Sequence, residues 1–510
     1  PTSPFPFSHP MRFLFSLLFL LLSLSGTAQT PTAPAVPSPA RGVRAVWLCT
    51  YSGLDWPAGH YARTAAEALE QKAQLSRIFD GLQAAGINTV LFQTRIRATV
   101  AYPSHIEPWD GAFSGTPGVA PPYDVLRFAI DEAHRRGMEL HAYLVTFPGN
   151  TLSEAKRLGR QSLPARMPKL CTRAGDKWQL DPGVPGTAEY LAELVREIVS
   201  RYDVDGIHLD YIRYPEPSIP FDDRRTYARY GHHRPKAEWR RENVNRTVQL
   251  ISETVRAIRP WVKITCAPIG KYADLPAQSS KGWNARDAVS QDAQLWLRRG
   301  WMDGLFPMMY FDGQHFYPFA VNWQEHTYGR PVAPGLGAYQ LAPEERNWSL
   351  LQIVRQLRFI HAEGFAGEAY FRSQFLLNNV KGLLDFVHDH YAQPQLPPAM
   401  TWLDSIAPAA PQWQCRRTDH ALRFTWNAVA DATPVHYNLY RLTPTGPVAV
   451  ALRLSGTDFT YSPALPSLLD ADYALTAMDA YGNESPLHFT HDTQSTPPRV
   501  VGYPSAFRPR

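Results

Sequence analysis

Cysteine is scarce: Cys49, Cys171, Cys266 and Cys415 are the only four in 510 residues, too scattered for a disulfide framework or a zinc knuckle. Cys49 and Cys266 lie inside apolar runs and read as small buried hydrophobes, with a single bridge left open. Charge is scarce as well. Charged residues make up 19% of the chain, the formal net charge is +5, and no run of Lys and Arg forms a stripe, so nucleic acid is excluded as a partner. The one strongly apolar run, Phe13 to Leu24, is too short to span a bilayer. No glycine-rich phosphate loop and no nucleophile elbow is present, and no cofactor is expected.

What the chain does have is order along its length. Met11, Arg12, the apolar run and small residues through Ala28 read as an export signal, the ten residues before Met11 as an upstream misread of the start, and 29–40 as a Pro-Ala-Ser linker. This points to an exported protein of the periplasm, cell envelope or extracellular space, with no transmembrane segment. From 41 to 392 strand and helix patterns alternate. The strands are expected at 44–50, 88–94, 139–147, 205–213, 263–269, 303–311, 332–339 and 364–371. Helical patterns fall near 65–85, 123–136, 187–201, 236–259, 286–299, 349–362 and 375–391, and the connection around 319–328 carries the weakest one. Gly86, Gly137 and Gly364 each stop a helix just before a strand. Eight such units predict an α/β fold, a (β/α)8 TIM barrel with its site at the C-terminal strand ends. After a proline-rich break at 394–398, residues 405–495 read as short strands of a small all-β sandwich. The segment resembles a fibronectin type III module, in which Trp426, Tyr437 and Tyr473 are buried; it serves as a spacer packed on the barrel or as a glycan-binding module. The tail after Thr496 is expected to be loose.

The chemistry concentrates at the predicted strand ends. In the fourth strand His208 and Asp210 share one face, and Ile207, Leu209 and Tyr211 share the other. A buried parallel strand should read as nearly continuous Val, Ile and Leu, so the polar pair calls for a reason. Trp47, Gln93, Arg95, His141, Tyr143, Tyr310, Tyr339 and Arg372 occupy comparable positions on other strands and are the expected substrate-binding set with His208. Carboxylates, arginines and aromatics at a barrel mouth suit glycoside hydrolysis: one carboxylate attacks or activates water, and a second, protonated, serves the leaving oxygen. Asp210 is the first carboxylate, with Glu368 and Asp312 as candidates for its partner. Arg95 and Arg372 either hold substrate or neutralise Asp210. A metal site at His141, His208 and Asp210 is the competing reading, although the first strand lacks the His-x-His pair of metal-dependent barrel hydrolases.

Several stretches together resemble the glycosyl-hydrolase-like family 10 proteins. They are Arg41 to Leu48, Ile87 to Val90 leading to Gln93 and Arg95, Tyr123-Asp124, Glu132 to Met138 with His141-Ala142-Tyr143, Leu180 to Gly183, and Tyr202 to Tyr211. The best-known bacterial relative in that family is a peptidoglycan glycosidase acting on glycan strands stripped of peptides. The resemblance implies a barrel glycoside hydrolase of the cell envelope, acting on amino-sugar polysaccharide, with Asp210 as a catalytic carboxylate. Hydrolysis of another extracellular polysaccharide and a non-catalytic glycan-binding barrel are the alternatives. Where family members often carry Pro-Gln before an apolar residue and Tyr on the sixth strand, this chain has Pro307-Met308-Met309-Tyr310 and lacks that amide. The spacing from Asp205-Gly206 to Asp210 is also similar to chitinase-like barrels, but Ile212 stands where their acid would be.

Overall fold

Eight apolar segments, each buried along nearly its whole length, pair side by side in the computed structural model, which describes residues 40–391 and 393–487. They are β1 (Val43–Leu48), β2 (Thr89–Arg95), β3 (Glu139–Val145), β4 (Gly206–Asp210), β5 (Lys263–Cys266), β6 (Gly304–Leu305), β7 (Gly335–Leu336) and β8 (Gly367–Tyr370). All pairs are parallel, in the order β7-β8-β1-β2-β3-β4-β5-β6. Parallel bridges Leu305 to Val332 and Met308 to Gly335 join the two ends and close the barrel. The sixth and seventh strands are much shorter than their apolar patterns predict. Pro307, Pro331 and Pro334 lie in or beside them, and a proline cannot donate to the ladder.

A helix follows every strand: α1 (Ala65–Ala84), α2 (Val125–Arg135), α3 (Thr187–Arg201), α4 (Lys236–Ile258), α5 (Ala293–Arg298), α6 (Tyr317–Glu325), α7 (Leu350–Ala362) and α8 (Leu383–His390). Their starts follow local chemistry. Thr64 and Glu67 form a reciprocal capping box on α1, and the Asp124 side chain accepts the Arg127 N–H on α2. Gly86, Gly137 and Gly364 adopt φ of +76°, +72° and +69° and turn the chain directly into the next strand, as their spacing predicts. The weakly patterned connection around 319–328 is α6, whose Phe319, Ala320 and Trp323 reach the core.

Alternation sorts the strand side chains into two sets. Val46, Leu48, Phe92, Leu140, Ile207, Leu209 and Ile264 point outward and form the sheet-to-helix core. Ala45, Trp47, Leu91, Tyr143, Phe306 and Ala369 point inward and fill the barrel.

Beyond the barrel, strands Trp413–Arg417, Leu422–Trp426 and Asp458–Tyr461 form one antiparallel sheet, and His436–Thr443, Gly446–Leu454 and Tyr473–Met478 a second. Phe424, Trp426, Tyr437, Leu439, Tyr473 and Leu475 are buried between them, making a small β-sandwich. The sandwich rests on the N-terminal strand ends, the floor of the barrel. Arg453 ion-pairs with Asp205 and Glu139, and Arg41 pairs with Glu484 at 2.8 Å. The Leu452 carbonyl lies where a Cβ on Gly137 would be. Cys49 and Cys266 are buried, as their apolar settings predict, and neither forms a disulfide. The export signal read over 11–28, the linker apart from residue 40, and the tail after Thr496 lie outside the described residues. Among the described residues no helix is long and apolar enough to cross a membrane.

Candidate active site

The inward face of β4 carries Gly206, His208 and Asp210 in ascending order, and only the last reaches the mouth. Tyr211 follows with φ +50°, a left-handed conformation that is costly for a residue with a side chain. That turn breaks the strand alternation, so Tyr211 leaves the outward face expected for it and stands 39% exposed beside Asp210. Its N–H donates to Asp210 Oδ1 at 2.7 Å, and the Tyr143 hydroxyl from β3 donates to Oδ2 at 2.8 Å. Both donors are neutral. Burial pushes the Asp210 carboxyl above its ordinary range, and Tyr143, Arg213 and the Tyr211 N–H only partly oppose the rise.

Partly exposed aromatic rings surround this carboxylate. Tyr310 packs at 5.7 Å from Tyr339, and both abut Phe371, at 5.3 and 5.8 Å. The buried Arg213 guanidinium lies over Tyr211 at 4.7 Å and Trp283 at 5.7 Å. Arg97 covers the Tyr51 ring at 4.2 Å and donates to its hydroxyl. Rings at several angles around a carboxylate suit the apolar faces of sugars. A three-stranded antiparallel sheet of Pro148–Thr151, Lys177–Leu180 and Cys171–Ala174 stands in the loop after β3.

Asp312 is exposed on the loop after β6, two strands along from Asp210, and remains a candidate partner. Glu216, with a side chain 43% exposed, lies beyond Arg213 on the loop after β4 and acts electrostatically on Tyr211. A third carboxylate, Asp55, is locked. It accepts from the Cys49 N–H at 2.7 Å and the Gln374 N–H at 3.2 Å, and it ion-pairs with Arg372. Arg372 therefore neutralises Asp55 rather than Asp210, and ties β1 to β8 at the mouth.

Six residues expected at the substrate lie elsewhere. Glu368 faces outward at the start of β8, because the inward positions there are Gly367, Ala369 and Phe371. It is 1% exposed and binds the Tyr391 hydroxyl and His361, far along the strand axis from the mouth. Arg95 is fully buried: a register shift after Gln93 turns it toward Glu107, which it meets in a two-pronged ion pair, and it also donates to the Val145 and Thr146 carbonyls. Gln93 spends its amide oxygen on the Thr50 and Tyr51 N–H groups, shaping the turn that presents Tyr51. Trp47 fills the barrel and donates its indole N–H to His208 Nε2 at 3.2 Å, while His208 Nδ1 faces the Thr265 hydroxyl at 3.0 Å. His208 is wholly buried, and burial followed by His141 holds it neutral. His141 lies a layer lower, against Glu139. With its Nε2 lone pair taken and His141 below it, His208 does not form an ion site with Asp210. The three do not converge.

Tyr51, Asp55, Arg97 and Trp283 are among the mouth residues outside the expected site set. Arg97 stands at a two-residue spacing from Gln93 and Arg95, which is its only signal in the sequence. The other three lie in loops, where no periodicity marks them.

The model of the family described as glycosyl hydrolase-like 10 matches residues 42–333, from β1 almost to β7. The chain belongs to that family. Membership places it among the glycoside hydrolases, in agreement with a carboxylate and aromatic mouth on a TIM barrel. The chain is 31% identical over 396 residues to glycosyl hydrolase YngK of Bacillus subtilis (strain 168), covering 73% of this chain and 76% of that one. It is 33% identical over 326 residues to glycosyl hydrolase DigH of Escherichia coli (strain K12), covering 58% of this chain and 74% of the relative. Among solved structures, the PgaB (BpsB) glycoside hydrolase domain of Bordetella bronchiseptica aligns with a TM-score of 0.46 at 13% identity, over 69% of this chain and 98% of that one.

Proposed function

We infer that this family 10 barrel is an exported glycosidase that cuts cell-wall glycan strands of the peptidoglycan type. The observation that carries the reading is Asp210: a carboxylate at the mouth, fixed by Tyr143 and a backbone N–H, with no ion-pair partner in contact among the described residues, close enough to Tyr211 and Tyr310 to act on both electrostatically. Such a group acts as nucleophile or as base toward water, and its two hydrogen bonds hold it in one orientation for the anomeric carbon. Tyr143 stabilises the ionised form without cancelling its charge. The proton for the leaving oxygen comes from a loop carboxylate, Asp312 first and Glu216 second, desolvated when a glycan fills the mouth. The long loops after β2 and β3 provide walls for a polymer, and the apolar run Phe13 to Leu24 behind Arg12, read as an export signal, supports export.

Intact and peptide-stripped sacculi, incubated with the protein and analysed by mass, give soluble sugar fragments on this reading. No release from either, with glycan still bound, supports the non-catalytic alternative. Release only from a different polysaccharide keeps the chemistry and replaces the substrate. Asp312→Asn separates the roles: an acid is dispensable when the leaving group is a good one, so this variant loses glycan cleavage but keeps activity on an activated aryl glycoside. Equal loss on both substrates rejects Asp312 as the acid.

A further inference from the structure

At the floor of the barrel three metal-ligating side chains converge from three elements. His361 stands in the last turn of α7, Glu368 near the start of β8, and His390 ends α8. One ligand atom from each lies within 4.8 Å of the other two. His361 Nε2 is 3.2 Å from Glu368 Oε2, and the two imidazole rings are 4.7 Å apart between centroids. His390 Nε2 is buried yet has no hydrogen-bond partner among the described residues, an unusual state for an imidazole nitrogen. Glu368 is buried as well, and its second oxygen accepts the Tyr391 hydroxyl, which in turn meets Tyr370 at 2.8 Å. Two arginines act electrostatically on His390, Arg44 and Arg358, and Arg44 lies over the Tyr391 ring and spends Nη1 on the Gln393 carbonyl.

We propose that His361, Glu368 and His390 form a binding site for a divalent transition-metal ion of the zinc class. Two imidazoles and a carboxylate suit such an ion, whereas magnesium and calcium prefer oxygen ligands throughout. The Tyr391 and Tyr370 hydroxyls supply the outer hydrogen bonds that orient a ligating carboxylate. Tetrahedral coordination with bonds of about 2.0 Å brings ligand atoms to about 3.4 Å from one another. His361, whose side chain is 47% exposed, can make that adjustment by rotation and leaves the ion a route from solvent. The ion fastens the last two helices to the strand that closes the barrel beside β1. This role is structural and independent of the glycosidase reading, because Asp210 belongs to the opposite end.

The test uses the full chain stripped of metal by chelation. Calorimetric titration with Zn2+ is expected to show one equivalent bound, and thermal unfolding in excess Zn2+ to shift upward, since a ligand of the native state stabilises it. Cobalt(II) in place of zinc should give the visible bands of a tetrahedral nitrogen and oxygen site. Substituting His361→Ala, on the accessible side, weakens Zn2+ binding by at least about tenfold, and His390→Ala does the same; circular dichroism verifies that each variant folds. No saturable zinc binding by the unsubstituted chain, or binding as tight as that of the unsubstituted chain in both folded variants, overturns the site. Equal response to Mg2+ overturns its chemistry.

Discussion

The two ends of the barrel hold buried carboxylates in opposite settings. At the floor every such group is answered by a charge or by a specific donor. Glu139 meets Lys263 and Arg453, Asp205 meets His134 and Arg453, Asp303 meets Arg256, and Glu368 meets Tyr391 and His361. At the mouth, Asp210 is held by neutral donors alone among the described residues, with Arg213 nearby but not in contact. The consequences run in opposite directions. Burial raises the carboxyls of Glu139 and Asp205, but their cations more than reverse it and both lie below the ordinary range. Burial of Asp210 is only partly opposed, and its carboxyl lies above that range. Similar burial thus leaves Glu139 and Asp205 depressed and Asp210 raised, and among these three the difference is whether a cation is in contact.

The largest expected effect breaks the contrast at the mouth. Asp210→Asn should lower kcat on glycan strands by about 10³-fold and leave the unfolding midpoint nearly unchanged; near-normal turnover would show that the mouth carboxylate is not catalytic. The counterpart at the floor is Arg453→Ala, which leaves Asp205 and Glu139 without a shared cation. It should cost about 3 kcal/mol in urea unfolding with kcat preserved, and a change in kcat without loss of stability would place function at the floor instead. Tyr143→Phe comes next. Removing a hydrogen bond that favours the ionised Asp210 should raise its pKa further, move the acid limb of the rate profile to higher pH and lower kcat about tenfold; an unmoved limb assigns that limb to another group.

Stability against pH sharpens the same comparison. A carboxyl depressed on folding contributes stability that is complete above its unfolded value, about 4, and disappears as pH falls through the folded value. Glu139 and Asp205 have this sign, while Asp210 and Asp55, both raised, have the reverse. The stability that Glu139 and Asp205 contribute should therefore be lost on acidification, and that loss should be smaller in Arg453→Ala. Parallel curves for the two proteins would contradict the assignment. The smallest effect is expected from Tyr339→Ala, which removes one ring from the mouth and should raise KM about fivefold with kcat little altered. A loss confined to kcat would mean that the ring positions the catalytic groups rather than the sugar.

Much of this was legible along the chain. Repeated strand and helix patterns and glycine stops at Gly86, Gly137 and Gly364 led to the barrel, and the polar residues of β4 led to Asp210. Glu368 shows where such reading fails. It was expected at the mouth as a partner of Asp210, but the inward positions in β8 are Gly367, Ala369 and Phe371, two of them small residues that carry no chemical signal. His141 and His208 were placed on the correct inward face and at the wrong height. Arg95 was read without Glu107, twelve positions on, because the register shift after Gln93 has no mark in the residues themselves.

The amino-acid order alone determined the eightfold alternation of strands and helices, the caps that begin the helices and the turns that end them. All of these depend on contacts between neighbours a few residues apart. The tertiary structure decided height and partnership: which inward residue reaches the mouth, which carboxylate finds a cation, and that Arg453 crosses 248 positions to meet Asp205. A period of two selects a face of a strand but not a level along the barrel axis, because the level depends on the stagger of all eight strands together.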